Sequence, residues 1–244
     1  MKYGIQMYSL RDITDKDMSF ALKSVAEMGY SFVEFAGFFG ISAAEIKAML
    51  DNYGLYCSST HTGWHEVANN FDETVKYHKT IGNKNIIVPG ADLGSQEKID
   101  AFVEMVKKFQ PRLAAEGIDF HYHNHSGEFV PNADGSLIHK QLEERTDIFF
   151  QIDTYWAFAA KCDPVEMITR LKDRIKLIHL KDGDGGHNGF SLGEGCAPVV
   201  EVRKTAAELG FVMVVESETL TPDGVSEVKR CIDFLKGLDA KDKL

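Results

Sequence analysis

The chain has 244 residues, enough for one large domain or two small ones, and its 44% hydrophobic residues can fill a substantial core, which excludes a disordered polypeptide. A net charge of -10 opposes sequence-independent attraction to phosphate backbones, so nucleic acid is excluded as a partner. No apolar stretch is long enough to cross a bilayer, and the opening MKYGIQMYSLRD lacks the basic-then-apolar pattern of a secretion signal, so no membrane association and a cytoplasmic location are expected. The cysteines Cys57, Cys162, Cys196 and Cys231 are scattered, as expected of reduced thiols rather than a disulfide framework.

Strand and helix signals alternate along the chain. Strands are predicted over residues 3–8, 32–36, 56–61, 85–89, 119–125, 148–153, 175–179 and 211–216. Amphipathic stretches such as SFALKSVAEMG, AAEIKAMLDNYG, QEKIDAFVEMVKKFQPRLAAEG and PVEMITRLKD lie between them, several closing on the glycine that a helix C-terminus favours. Helix-length crossovers require parallel strands, and eight such units predict an α/β fold, a closed (β/α)8 TIM barrel, as a single domain over residues 1–244. The rival open sheet in its nucleotide-binding form would want GxGxxG after the first strand, which YGIQMYSLRD lacks. The tail LDAKDKL is expected to fray.

Three consecutive strands end on a charged or imidazole side chain: Asp153 closes IFFQID, His179 closes IKLIH and Glu216 closes FVMVVE. Each extends the face of its strand that also carries Gln151, Leu177 or Val214, and Lys181 follows on the face of His179. Barrel active sites form at the C-terminal ends of the strands, so these groups should converge on one mouth. Two carboxylates and an imidazole with a further acidic group suit manganese, magnesium or cobalt better than a structural zinc.

The fifth strand reads DFHYHNHSGEF, with His121, His123 and His125 alternating onto one face and Glu128 in the loop beyond. A second hard oxygen ligand fits the other three, which assigns Glu128 to the metal and leaves His123 as general acid or base. Lys181 is a candidate oxyanion contact. His61 and Trp64 in SSTHTGWHE, His125 on the fifth strand, and Trp156 beside Tyr155 are candidate substrate contacts, with ordinary loop or packing roles as the alternative. Gln6 and Glu34 either line the bottom of the cavity or pair with neighbours inside the barrel. The glycine-rich GDGGHNGFSLGEGC either approaches phosphate or sugar hydroxyls with its backbone N–H groups or forms a lid. His65, His78, His139 and His187 are expected at the surface.

Across nearly its whole length the chain resembles the sugar phosphate isomerase/epimerase family, the xylose isomerase-like barrels that also include inosose dehydratases and endonuclease IV. The resemblance rests on GIQMYSLRD, GYSFVEFAG, HYHNHSGEF, QIDTYW, IHLKDG, LGEGC and VVESE, in that order. It implies one divalent ion, Mn, Mg, Co or Zn, held by Glu, Asp, His and Glu from the last four strands. Asp153, His179 and Glu216 match those positions. The epimerases' fifth-strand glutamate is replaced here by His121 or His123, which leaves open whether Glu128 or a fifth-strand histidine is the first ligand. A histidine-rich fifth strand is more similar to the inosose dehydratase and keto-glycoside lyase side of the family.

The expected substrate is a small sugar or polyol, free or phosphorylated, and the expected activity is isomerisation or epimerisation of a ketose or keto-sugar through an enediolate. The alternative is a dehydratase or lyase acting on an inosose or 3-keto-glycoside, in which loss of a β-substituent follows the same proton abstraction. A metal-free sugar-binding protein is a third reading. The sequence allows a homo-oligomer without specifying one.

Overall fold

Both faces of the barrel strands are buried, so the strands read as apolar runs broken by chosen polar residues. The computed structural model describes residues 1–243. Eight parallel strands close into a barrel in sequence order: β1 (Gly4–Gln6), β2 (Phe32–Phe35), β3 (Tyr56–His61), β4 (Asn85–Val88), β5 (Asp119–His123), β6 (Phe149–Asp153), β7 (Ile175–Leu180) and β8 (Val212–Val215), with β8 pairing back to β1. Helices fill the crossovers, as a parallel sheet requires.

Local chemistry sets the helix ends. Ser42 and Glu45 form a reciprocal capping box at the start of Ala43–Tyr53, and Asp163 accepts from Val165 and Glu166 N–H before Pro164–Arg170. Met18–Met28 stops at Gly29, whose φ of 96° closes the helix in the left-handed region.

The two faces of the strands carry different chemistry. Ile5, Val33, Phe35, Ile86, Val88, Phe120, Tyr122, Phe150, Ile152, Ile178, Leu180 and Val215 face the helices and form the apolar layer. The buried polar residues Gln6, Glu34, Ser59, His123, Gln151, Asp153 and His179 belong to the alternate positions of the same strands. Burying them is costly unless they bond to one another, and most of them do.

Two expectations are corrected. The first strand ends at Gln6 rather than at residue 8, because Gln6 Oε1 accepts the Tyr8 N–H and starts a 3-10 turn over Met7–Leu10. The tail does not fray as expected: the last helix runs over Gly224–Asp242, where Asp239 accepts from the Tyr3 hydroxyl at 2.7 Å and from Arg203. Leu244, the last residue of that tail, lies outside the described residues. No helix among the described residues is long and apolar enough to cross a membrane.

Candidate active site

Glu34, a charged residue inside β2, organises the barrel floor. Fully buried, its carboxylate accepts from Gln6 Nε2 at 2.7 Å, Gln151 Nε2 at 2.6 Å, His179 Nε2 at 2.6 Å and the Ser59 hydroxyl, with His61 Nε2 at 3.2 Å. Burial alone would raise its pKa, but His61 and His179 with these bonds hold it well below the usual carboxylate range.

This floor fixes the protons above it. Gln151 gives its amide N–H to Glu34, so its Oε1 is the acceptor that faces His61 Nε2 at 2.8 Å and His123 Nδ1 at 3.0 Å. Both ring nitrogens are therefore N–H donors. In a neutral ring the lone pair then lies on the opposite atom, Nδ1 in His61 and Nε2 in His123. Burial, reinforced by the neighbouring His179 and His61, pushes the His123 pKa well down, so its ring is neutral.

His179 is anchored in the same way. With Nε2 on Glu34, its Nδ1 lies 3.3 Å from Glu216 Oε2 and 3.8 Å from Asp153 Oδ2. Burial opposes its charge, but Glu34 and Glu216 outweigh burial and raise its pKa to about 10. Asp153 divides its oxygens: Oδ1 caps the following helix by accepting Trp156 N–H at 3.0 Å, while Oδ2 is buried without a hydrogen-bond partner. Burial pushes the Asp153 pKa up to about 6 against the opposing pull of Lys181.

Lys181 is 1% exposed, with Nζ 3.1 Å from Glu216 Oε2, 3.9 Å from Asp153 Oδ2, in contact with Glu218, and 4.7 Å from the centre of the Trp156 ring. Burial disfavours its charge, yet Glu216, Asp153 and Glu218 together raise its pKa and keep it an ammonium.

Ligand atoms of His123, Asp153, His179 and Glu216 lie within 4.8 Å of one another, and a second overlapping set joins His61, His123 and His179. The first set offers two carboxylates to neutralise a divalent charge, while the second offers imidazoles and no carboxylate. The partnerless Asp153 Oδ2 and the bare His123 Nε2 are the donors such an ion requires, so these residues fit a divalent ion.

A cavity of about 440 Å³ opens above this group at the C-terminal ends of the strands, lined in part by His61, His123, His125 and Glu216. His125 is exposed at its edge, and Trp156 is half-buried 6.0 Å from the His125 ring.

Glu128 is not brought into the group. Its Oε1 accepts the Tyr122 hydroxyl at 3.0 Å and its Oε2 the His125 N–H at 2.9 Å, so both oxygens hold the loop after β5 on the outer side of the strand. The expectation of Glu128 beside Asp153 is corrected because Tyr122 points outward and draws the carboxylate with it. His121 lies lower in the barrel, bonded through Nε2 to Asn85 Oδ1 at 3.0 Å. Trp64 packs edge-on to Phe102 and is not among the residues lining the cavity.

His65 and His187 are exposed, but His78 and His139 are buried, contrary to expectation. Asn83 and Thr60 partner His78, and His139 stacks on Phe150 at 4.6 Å and lies 4.8 Å from Phe129. Sequence reasoning left Gln151 without a role and missed Tyr8, Glu66 and Glu218 at the cavity. For Glu218 a signal existed, since it follows Glu216 at the spacing of one strand face in VVESE.

The sequence model of the xylose isomerase-like TIM barrel family matches residues 22–238. Two solved structures of sugar phosphate isomerase/epimerases from Parabacteroides distasonis are similar, with TM-scores of 0.85 and 0.82 at 26% and 27% identity; each match covers 96% of this chain, and 98% and 93% of theirs. An inosose dehydratase of Geobacillus kaustophilus is 26% identical in an alignment of 188 residues; the match covers 66% of this chain but only 60% of that protein, less than two thirds of its length. The closed eight-strand barrel, with its match over residues 22–238, belongs to the xylose isomerase-like TIM barrel family.

Proposed function

We propose that the protein is a divalent-metal-dependent isomerase or epimerase of a sugar or keto-sugar, working through an enediolate. The observation that carries this reading is Asp153 Oδ2, buried without a partner among His123, His179 and Glu216 at the floor of the cavity. A divalent ion bound there would supply Lewis-acid polarisation of a substrate carbonyl.

The chain's own residues divide the remaining work. His123 Nε2, Asp153 Oδ2, His179 Nδ1 and Glu216 would hold the ion, which would make His123 a ligand rather than the free base. His61 lines the cavity with its Nε2–H held by Gln151 and Glu34, which leaves Nδ1 to take the proton from the carbon beside the carbonyl. The Lys181 ammonium, fixed by Glu216 and Glu218, supports negative charge as it gathers on the substrate oxygen. Trp156 beneath it and His125 at the edge shape the wall that receives the sugar.

The inosose dehydratase relative favours a second reading, in which the same proton abstraction is followed by loss of a β-hydroxyl or glycosidic group. Incubation of the Mn-loaded protein with a keto-sugar panel in deuterated water tests both. Deuterium entering the substrate carbon without loss of mass supports the isomerase or epimerase, and an unsaturated product absorbing in the ultraviolet supports the lyase. Neither exchange nor elimination across the panel rejects both.

A further inference from the structure

We propose that this site takes an unphosphorylated polyol, a neutral ketose or cyclic keto-polyol, with Glu66 and Glu218 accepting hydrogen bonds from its hydroxyls. The inference rests on the function proposed above and specifies its substrate class.

The cavity is lined by three carboxylates, Glu66, Glu216 and Glu218, and among the described residues no lysine or arginine lines it. The two cations beside it are already committed. Lys181 is held by Glu216 and Glu218. Arg11 donates to the carbonyl oxygens of Tyr8 and Glu218 while its guanidinium lies 4.5 Å from the centre of the Tyr8 ring.

The charge balance points the same way. Glu34, Glu66, Asp153, Glu216 and Glu218 carry five negative charges against the positive charges of Lys181 and Arg11, so even a bound divalent ion leaves an excess of about one negative charge before substrate enters. A phosphate dianion would add to that excess. Neutral hydroxyls would instead find acceptors.

The remaining route to a phosphate site is a cradle of free backbone N–H groups. The glycine-rich loop after β7 turns five of them onto its own aspartates: Asp182 accepts the N–H of Gly193 at 2.9 Å, Gly195 at 3.1 Å and Ala197 at 3.0 Å, and Asp184 accepts those of Gly186 and Asn188. Gly195 sits so tightly on Asp182 and the Gly183 backbone that even a Cβ would collide there. The feature that reads in sequence as a phosphate loop is a loop folded around its own aspartates.

The test uses the full-length, Mn-loaded protein with matched pairs of free ketoses or inososes and their phosphate esters, followed by solvent deuterium exchange and by kcat/KM. Free compounds should react with at least about 30-fold higher kcat/KM than their esters, and raised ionic strength should leave their KM unchanged. Glu66→Lys should narrow the gap by about fivefold, as expected of a cation placed near an anionic ligand. Esters reacting as well as or better than the free compounds would overturn this proposal and leave the enolising enzyme intact. Failure of both kinds to exchange or eliminate, with Mn bound, would instead remove the functional reading, and this inference with it.

Discussion

His179 Nε2 lies 2.6 Å from Glu34 Oε1, and that one bond decides which face of the imidazole the active site sees. With Nε2 committed to a carboxylate buried beneath it, Nδ1 is turned toward Asp153 and Glu216. A carboxylate behind a metal-binding histidine fixes its tautomer and orientation.

Glu34→Gln should therefore weaken Mn binding by about 10- to 100-fold, the usual effect of removing such a partner, while the barrel still folds. Isothermal titration with Mn, beside a circular dichroism melt, checks it. Unchanged affinity in a folded variant would show that the floor does not orient the ligand.

Glu128 and His123 give opposite expectations. Glu128→Gln should leave Mn affinity within about threefold of the parent, because its oxygens serve Tyr122 and the His125 N–H, whereas His123→Asn should lower it at least tenfold through loss of a ligand. Titrating the two variants side by side is decisive: a larger loss in Glu128→Gln would reinstate the loop carboxylate as a ligand.

Burial pushes the His78 imidazole down to about 4 from an ordinary 6.5, and His139 likewise to about 4. Both are neutral in the fold, and the unfolded chain binds their protons more readily. The stability they contribute is complete above about pH 6.5 and is lost progressively as pH falls toward 4, by at most about 3 kcal/mol each. Urea unfolding across that range should show the loss, and His78→Asn should flatten part of the slope. A slope identical to that of the parent would contradict the assignment to His78.

Asp182 is buried and gathers four backbone N–H groups, from Gly183, Gly193, Gly195 and Ala197. Asp182→Ala would leave these donors without their charged acceptor, and should cost roughly 3 kcal/mol in urea unfolding. The loop from Asp184 to Cys196 should also become the first site of limited proteolysis. Proteolysis at the parent's rate and sites would argue that the loop holds itself by other contacts.

The barrel was readable because each strand is a short apolar run and each crossover a helix of clear period, information carried within a few residues. Asp153, His179 and Glu216 stood out for the same local reason, each a costly group at the end of a buried run. The Glu34–His179 bond was not readable, since it joins residues 145 apart and exists only once the barrel closes. Glu128 was misdirected because a loop carboxylate follows the nearest donor, and Tyr122 faces the other side of the strand. His78 and His139 read as surface residues because a lone imidazole on a polar-looking helix reveals its partners, Asn83 or Phe150, only in three dimensions. The last helix looked frayed for want of knowing that Tyr3 and Arg203 wait for Asp239.

The central claim is that one divalent ion sits among His123, Asp153, His179 and Glu216. Anomalous diffraction at the manganese edge from Mn-soaked crystals tests it most directly. The account predicts a single peak about 2.0–2.3 Å from His123 Nε2, Asp153 Oδ2, His179 Nδ1 and a Glu216 oxygen. A peak beside Glu128, or none at the barrel floor, would contradict it.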